Sequence, residues 1–514
     1  MHIRVIPRLD IKGPNLVKGV HLEGLRVLGK PEDFARKYYL DGADELIFID
    51  LVASLYGRSN LKEIVSRTAS DIFIPLTVGG GVRSVDDMRE LLRAGADKIA
   101  INTALFSAPS LLDKGAKVFG SQCMVLYIEA KRMPDGRYFC LHTNARENSG
   151  REVVEWVREA VSRGAGEILL TAEDREGTGL GYDLELLRMV NDAVDVPVIA
   201  SGGAGNLDDL AAGARELGTG AVSAASIFHY HRLSKLTDTA RFDSEGNTAF
   251  IELARTHTPA FLEGRIHCIE VGDVKRHLNA LGFQCRGDLP ADAVEPLSGR
   301  IPNVAIVDYG MGNLFSLRRA IHHLTGQEPL LTSDPGPIRE AERVILPGVG
   351  AFGDAMANLR ERGLVAALRA RAAQDQPLLG ICLGMQLLLS RGFEFGEHEG
   401  LGIIPGDVRH LFDGERRPDA PVPHIGWAPL RRPEGISWEE TPFSGLSDGC
   451  HAYFVHTFSA RPVNPGHVLS FTEYGPTPFV SAVRKGNVCG CQFHPELSGP
   501  DGLGILTDFL TTST

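Results

Sequence analysis

Short apolar runs rich in β-branched residues alternate with longer amphipathic stretches from residue 1 to about 230. The runs are Ile3–Pro7, Glu45–Asp50, Ile74–Val78, Lys98–Asn102, Met124–Glu129, Glu167–Thr171, Pro197–Ser201 and Ala221–Ala225. They are near-continuous rather than alternating, as expected of strands buried on both faces of a parallel sheet. The stretches between them carry helical periodicity. Val85, Met88, Leu91 and Leu92 share one face, with Ser84 and Asp87 placed as a capping box, and Leu184, Leu187, Val190 and Val194 share another. Eight such alternations predict a closed (β/α)8 barrel.

An internal repeat supports the barrel. Gly42-Ala43-Asp44-Glu45-Leu46-Ile47 matches Gly164-Ala165-Gly166-Glu167-Ile168-Leu169, and Gly80-Gly81 with Asp86-Asp87 matches Gly202-Gly203 with Asp208-Asp209, both at an offset of 122 residues. A constant offset across two motifs reads as two half-barrels. Residues 231–268 are polar and break the pattern, and a helix resumes at Val271–Leu281. The break is read as an insertion after the eighth strand, on the face where barrel active sites lie. Residues 287–301, rich in Pro, Gly and Asp, read as a linker. The expected organisation is a barrel over 1–286 and a second α/β domain over 302–514, opening at Val304-Ala305-Ile306-Val307-Asp308.

Bulk properties narrow the function. The 514 residues are 43% hydrophobic and 23% charged, with a net charge of −12, a globular profile. An acidic chain is a poor binder of nucleic-acid backbone, but backbone N–H groups can still hold a phosphate. The eight cysteines show no CxxC pair; seven read as buried reduced thiols of a cytoplasmic protein, with Cys382 set apart. The first residues lack the apolar core of a signal peptide and no apolar run reaches membrane-spanning length, so no membrane association is expected. Neither metal nor cofactor is assigned.

Three elements of the second domain carry chemistry together. Pro377-Leu378-Leu379-Gly380-Ile381 is a strand pattern, Cys382 follows, and Leu383 to Leu389 is a helix pattern. Gly-x-Cys-x-Gly at such a turn has the form of a nucleophile elbow, with the thiol at a helix N-terminus; alone, it fits a buried cysteine in a tight turn equally well. His494 in Gln492-Phe493-His494-Pro495-Glu496 sits at a strand end, with Glu496 placed to orient it. The glycine-rich turn Pro347-Gly348-Val349-Gly350 after Ile345-Leu346 can turn N–H groups toward a developing oxyanion. In this combination the domain resembles the class I glutamine amidotransferases. With Asp308-Tyr309-Gly310-Met311-Gly312-Asn313-Leu314 and Tyr453-Phe454-Val455-His456 it is similar to the glutaminase subunit of imidazole glycerol phosphate synthase over residues 303–512. The resemblance implies Cys382 as nucleophile, His494 as base and acid, Glu496 as its orienting group, and N–H groups near Val349, Gly350 and Leu383 as the oxyanion hole. Ala428 stands where that family usually has Asn.

In the barrel, Asp10, Asp50, Asn102, Glu129, Thr171 and Ser201 lie at strand ends, with Asp10 and Glu129 expected to face each other across the mouth and Lys18 near in sequence. Val78-Gly79-Gly80-Gly81 and Ser201-Gly202-Gly203-Ala204-Gly205 each join a strand to a helix, a setting that binds phosphate, so a substrate with a phosphate at each end is expected to span the two. Together with Phe73–Gly81, Gly164–Thr171 and Ile199–Gly205, this half resembles the cyclase subunit of imidazole glycerol phosphate synthase over 3–230 and 268–286. The resemblance implies Asp10 as general base and Glu129 in place of an Asp general acid. Phosphate contacts fall at Gly80, Gly81, Asn102, Thr103, Gly202, Gly203 and Ser226, with further contacts at Lys18, Asp50, Thr171 and Ser201. Arg4, Glu45, Lys98 and Glu167 would form a charged gate for ammonia.

Two acceptor readings follow. One is ammonia transfer to a bis-phosphorylated ribulosyl aminoimidazole carboxamide nucleotide, giving imidazole glycerol phosphate. The other rests on departures from the family: Glu at 129 and 176, Arg8 for Cys, Val52 for Thr, and the 231–268 insertion. These resemble paralogues that supply ammonia to a separate enzyme modifying a surface-polysaccharide sugar. A non-enzymatic scaffold is the third reading, opposed by the intact Cys382, His494 and Glu496. The expected small-molecule partners are glutamine and a phosphorylated acceptor.

Overall fold

A computed structural model describes residues 2–53, 61–235, 264–287, 296–298, 300–311, 314–415, 417 and 420–512. Residues 236–263 of the expected insertion, 288–295 and 299 of the expected linker, and Gly312 with Asn313 lie outside the described residues. The chain divides into two compact units, one of Met1–Ala116 with Cys123–Leu289 and the other of Pro290–Thr514 with the short stretch Lys117–Gln122.

All eight expected barrel strands form: β1 Ile3–Lys12, β2 Leu46–Asp50, β3 Leu76–Gly79, β4 Lys98–Ile101, β5 Met124–Arg132, β6 Glu167–Ala172, β7 Val198–Ser201 and β8 Gly220–Ala224. Each pairs in parallel with the next, and β8 pairs with β1, so the sheet closes and has no open edge among these strands. The helix Val85–Ala94 starts at a capping box in which the Ser84 and Asp87 side chains each accept the other's backbone N–H. The helices Leu184–Ala193 and Val271–Ala280 follow the expected periodicity.

Two strands run further than their apolar runs. β1 continues to Lys12 because Asp10–Lys12 pair antiparallel with Asn15–Val17. β5 continues to Arg132 because it pairs with a hairpin, Tyr138–His142 and Glu147–Glu152, whose polar residues hide it from a hydrophobic pattern. The helix Ser226–Ser234 overlaps the start of the expected insertion, correcting where the polar break begins.

Side chains alternate along a strand, so Arg4, Ile6, Arg8 and Asp10 share one face of β1. This face looks into the barrel and sorts it into layers. Arg4 bonds Glu167 of β6 and Glu45 just before β2, and Lys98 of β4 bonds the same two carboxylates. Above it Ile6, Ile47, Ala100, Val125, Leu169 and Ile199 make an apolar layer. Arg8 and Asp10 stand higher, at the C-terminal mouth.

The second unit is built on parallel strands Leu330–Thr332, Val304–Val307, Arg343–Leu346, Leu378–Ile381 and Val488–Cys491, side by side in that order. The sheet continues antiparallel through Phe479–Lys485 and Phe458–Pro462 to Ile404–His410. The helix after Cys382 is shorter than expected, Leu383–Leu387, because Leu389–Gly392 turns into a strand beside Ile404–His410. Tyr309, Leu346, Phe352, Leu383 and Leu387 belong to one buried cluster, which fixes the strand ends carrying the catalytic candidates.

Candidate active sites

Cys382 is the N-cap of Leu383–Leu387 and has φ 54° and ψ −111°. A non-glycine residue held there costs on the order of 1–3 kcal/mol and persists only where its surroundings enforce it. Here its N–H donates to the Cys491 carbonyl at 2.7 Å. A Cβ on Gly380 would lie 2.8 Å from the Gly384 backbone, and one on Gly384 would lie 1.8 Å from the Leu346 oxygen. Only glycine fits on either side of the thiol, which is buried.

His494 follows the strand Val488–Cys491, and its Nδ1 lies 2.8 Å from Glu496 Oε1. A carboxylate can only accept, so Nδ1 carries the proton of this pair. Nε2 makes no hydrogen bond of ordinary geometry. Burial opposes a charge on His494, but Glu496 and the Cys382 thiol outweigh it and hold the imidazole well above its usual pKa. That suits His494 to act as base toward the Cys382 thiol. A second histidine nearby does not compete: burial pushes His456 down to about 4, and its Nδ1 is engaged by the Phe458 carbonyl at 2.9 Å.

The turn after Leu346 is pinned from below by Tyr309, whose hydroxyl donates to the Pro347 carbonyl at 2.9 Å. A Cβ on Gly348 would come within 2.2 Å of that hydroxyl and 3.2 Å of Leu383 Cβ. The turn carrying Val349 and Gly350 therefore packs beside the residue after the nucleophile. Gly350 has φ 113°, a conformation suited to glycine. The Phe352 N–H donates to Glu394 at 2.8 Å, and burial raises this carboxyl to about 7. Glu394 and Tyr309 were not singled out from sequence as site residues, although Tyr309 lies in the motif Asp308–Leu314 that carries the family resemblance.

In the barrel, Arg4, Glu45, Lys98 and Glu167 form a closed, buried ring. Arg4 bonds Glu45 and Glu167, and Lys98 bonds the other oxygen of each, all at 2.6 Å. Burial opposes ionisation of Glu167, but Arg4 and Lys98 overcome it and hold its carboxyl below the usual range.

Asp10 and Glu129, expected to face each other across the mouth, are joined there through Arg8 and Tyr127. Arg8 Nε donates to Asp10 Oδ1 at 2.8 Å, Arg8 Nη1 to Thr171 Oγ1 at 2.8 Å and Ser201 Oγ at 3.3 Å, and Arg8 Nη2 to the Tyr127 hydroxyl at 3.1 Å. Tyr127 in turn donates to Glu129 Oε1 at 3.0 Å. Burial opposes the Arg8 charge, yet Asp10, Tyr127 and Glu176 together keep it firmly cationic. Lys18 pairs with Glu176 and stands 3.9 Å from Asp10. Tyr127 could have been found from sequence, since it shares the inward face of β5 with Glu129.

Glu129 also accepts the Ala145 N–H at 2.7 Å. Ala145 ends a turn in which Thr143, Asn144 and Ala145 all have φ 58°, three left-handed non-glycine residues in succession. Burial, opposed by these hydrogen bonds, lifts the Glu129 carboxyl to about 7.

A cavity of about 310 Å3 opens beside Glu129 and is lined by Asp50, Gly80, Gly81, Asn102, Thr103 and Tyr127, among others. It gathers the candidates of the first half-barrel; Gly202, Gly203 and Ser226 are not part of its lining. A Cβ on Gly202 would lie 3.2 Å from the Glu176 carboxylate, and one on Gly203 would lie 2.2 Å from the Gly181 oxygen. The cysteine expectation needs one correction: Cys268 is exposed and Cys450 half-buried, while Cys123, Cys140, Cys285, Cys489 and Cys491 are buried. Among the described residues there is no cluster able to hold a metal ion and no helix long and apolar enough to cross a membrane.

Comparison with known proteins matches residues 4–234 to the family described as histidine biosynthesis protein and residues 305–512 to glutamine amidotransferase class-I. Imidazole glycerol phosphate synthase subunit HisF of Legionella pneumophila is 60% identical over 208 residues, 40% of this chain and 98% of the relative. The same subunit of Caulobacter vibrioides is 52% identical over 232 residues, 45% of this chain and 89% of the relative. That of Beutenbergia cavernae is 49% identical over 237 residues, 45% and 92%. The chain belongs to the family of the imidazole glycerol phosphate synthase subunit HisF, and it carries a class-I glutamine amidotransferase domain in the same polypeptide.

Proposed function

We propose that the chain is a glutamine-dependent enzyme of imidazole glycerol phosphate synthase type, in which one domain makes ammonia and the barrel receives it. The observation that carries this reading is the buried Cys382, His494 and Glu496 assembly on its strained elbow. His494 takes the thiol proton, Cys382 attacks the glutamine carboxamide, and N–H groups around Val349, Gly350 and Leu383 stabilise the oxyanion. His494 then gives its proton to the departing ammonia, and water releases glutamate from the thioester. Ammonia passes the Arg4–Glu45–Lys98–Glu167 ring into the barrel, where Asp10 and Glu129 act on a phosphorylated acceptor. The first candidate acceptor is the bis-phosphorylated ribulosyl aminoimidazole carboxamide nucleotide, with imidazole glycerol phosphate as product.

A second reading is favoured by Arg8, whose guanidinium stands between the two barrel carboxylates. On it, ammonia leaves the barrel for a separate enzyme that amidates or amidinates a sugar. One coupled assay on the purified chain tests both, following glutamate and imidazole glycerol phosphate together. Formation of both products, lost in Cys382→Ala and restored for the imidazole product by ammonium, establishes the first acceptor. Glutamate alone, even with ammonium present, removes it and leaves the second; no glutamate under any condition sinks the glutaminase reading.

A further inference from the structure

We infer that Glu394 is a positioning residue of the glutaminase: the hydrogen bond its carboxyl accepts from the Phe352 N–H holds the turn of Val349 and Gly350 where the N–H groups of that turn meet the oxyanion. The inference rests on the reading of Cys382 as the nucleophile of a glutaminase, and it adds to that reading a side chain that acts through the turn.

The first argument is where the turn is fixed. It runs from the end of the strand Arg343–Leu346 to the start of the helix Phe352–Glu361. Its described hydrogen bonds lie at its two ends. At the start, the Tyr309 hydroxyl holds the Pro347 carbonyl at 2.9 Å; at the finish, Glu394 Oε2 holds the Phe352 N–H at 2.8 Å. Phe352 opens the helix, and the N-cap, Ala351, makes no side-chain cap. A Ser, Thr, Asp or Asn at the N-cap would ordinarily supply an acceptor to the first turn of the helix. Here Glu394 supplies one from another segment. Removing it frees one end of the turn and leaves the N–H of the buried Phe352 unpaired.

The second argument is what Glu394 is attached to. It follows the strand Leu389–Gly392, and that strand follows the helix Leu383–Leu387 capped by Cys382. The strand and the start of Phe352–Glu361 interlock: a Cβ on Gly392 would lie 2.5 Å from the Phe352 ring, and one on Gly353 would lie 2.7 Å from the His398 ring. One continuous segment thus carries the thiol at one end and the anchor of the oxyanion turn at the other. Oxyanion donors must stand about 2.7–3.1 Å from the developing charge, and a misplacement on the order of 1 Å can cost roughly a hundredfold in rate. The thiol itself is held by other contacts, the Cys491 carbonyl and the two flanking glycines. Loss of the Glu394 acceptor therefore moves the turn and leaves the nucleophile in place.

The test follows two reactions at Cys382 in the full chain. Glutamine hydrolysis needs the oxyanion hole; alkylation by iodoacetamide, a displacement at a saturated carbon, does not. Glu394→Met keeps the length of the side chain and removes the acceptor. It is expected to lower kcat for glutamate release roughly a hundredfold, with KM little changed and with the rate of Cys382 alkylation, read by mass spectrometry of its peptide, as in wild type. Glu394→Gln, whose carboxamide oxygen still accepts, is expected to restore most of the rate. A wild-type kcat in Glu394→Met overturns the inference, and so does a parallel loss of alkylation, which would mean that the elbow itself has collapsed. Glu394→Gln as slow as Glu394→Met overturns it too. Should thermal melts show that Glu394→Met does not fold, Glu394→Asp, which withdraws the acceptor by one methylene, is read in the same two reactions: slow hydrolysis with unchanged alkylation supports the inference, and full hydrolysis refutes it. A wild-type chain that is alkylated but releases no glutamate under any condition sinks the glutaminase reading and the inference together.

Discussion

Arg8 donates to Asp10 through Nε at 2.8 Å, and neither side chain reaches solvent. Breaking one member of such a buried pair strands the other. Asp10→Asn should therefore cost the barrel about 3–5 kcal/mol, and Arg8→Met with Asp10→Asn should recover a large part of it. Urea unfolding of the two chains measures this directly; a double variant as weak as the sum of its singles means the two residues act apart.

Glu129 sits at about 7 rather than its ordinary 4.5 because it is buried. The folded state binds its proton more tightly than the unfolded chain does. Its contribution is therefore most favourable below the unfolded value and is lost as pH rises toward and through 7. Glu129→Gln lacks this loss, so its stability relative to wild type should climb by about 2 kcal/mol between pH 5 and pH 8. Thermal melts at the two pH values decide, and a difference that does not move with pH would place the proton elsewhere.

The elbow and the histidine clamp can be broken separately. Glu496→Gln keeps the shape beside His494 but removes the charge that holds its imidazolium, and glutamine hydrolysis should fall on the order of 10^4-fold. Gly384→Ala drives a methyl to within 1.8 Å of the Leu346 oxygen, so the turn must move, at a cost of about 1–3 kcal/mol or more. Glutamate release should be lost in Gly384→Ala. An active Gly384→Ala would mean that the thiol does not need this turn.

Glu45 and Glu167 each accept from both Arg4 and Lys98, so the ring is one unit rather than four pairs. Arg4→Met alone should destabilise the barrel by about 3–5 kcal/mol. Adding Glu45→Gln should not deepen the loss in proportion, because it removes the anion left over. Equilibrium unfolding of both variants provides the comparison.

Most of the eight barrel strands could be read from sequence because their short runs are nearly continuously apolar, although the inward face of β1 carries Arg4, Arg8 and Asp10. The hairpin Tyr138–His142 and Glu147–Glu152 could not, since its strands alternate with polar residues and end in a left-handed turn made without glycine. The site divides in the same way. Cys382, His494 and Glu496 announce themselves through short local motifs, and the structure brings them together. Arg8 is visible in sequence only as an unusual residue. Its reach to Tyr127, Thr171 and Ser201 depends on barrel closure, which brings β5, β6 and β7 around to face β1. The added length of Glu129 and Glu176 is likewise plain in the sequence, but what the extra methylene touches, Ala145 and Lys18, is set by loops far away in the chain.

The ring at the N-terminal end of the barrel has a consequence for what can cross it. Its two cations and two carboxylates sum to zero, and all four carboxylate oxygens already accept a bond. An ion arriving there must shed its water and finds every counter-charge taken; a neutral molecule of equal width meets only the steric part of the barrier. Ammonia and ammonium differ by one proton and hardly at all in width. On the proposal that ammonia crosses this layer, the layer would sort nitrogen by protonation rather than by size, and the amount passing from solution would follow the unprotonated fraction, not the total.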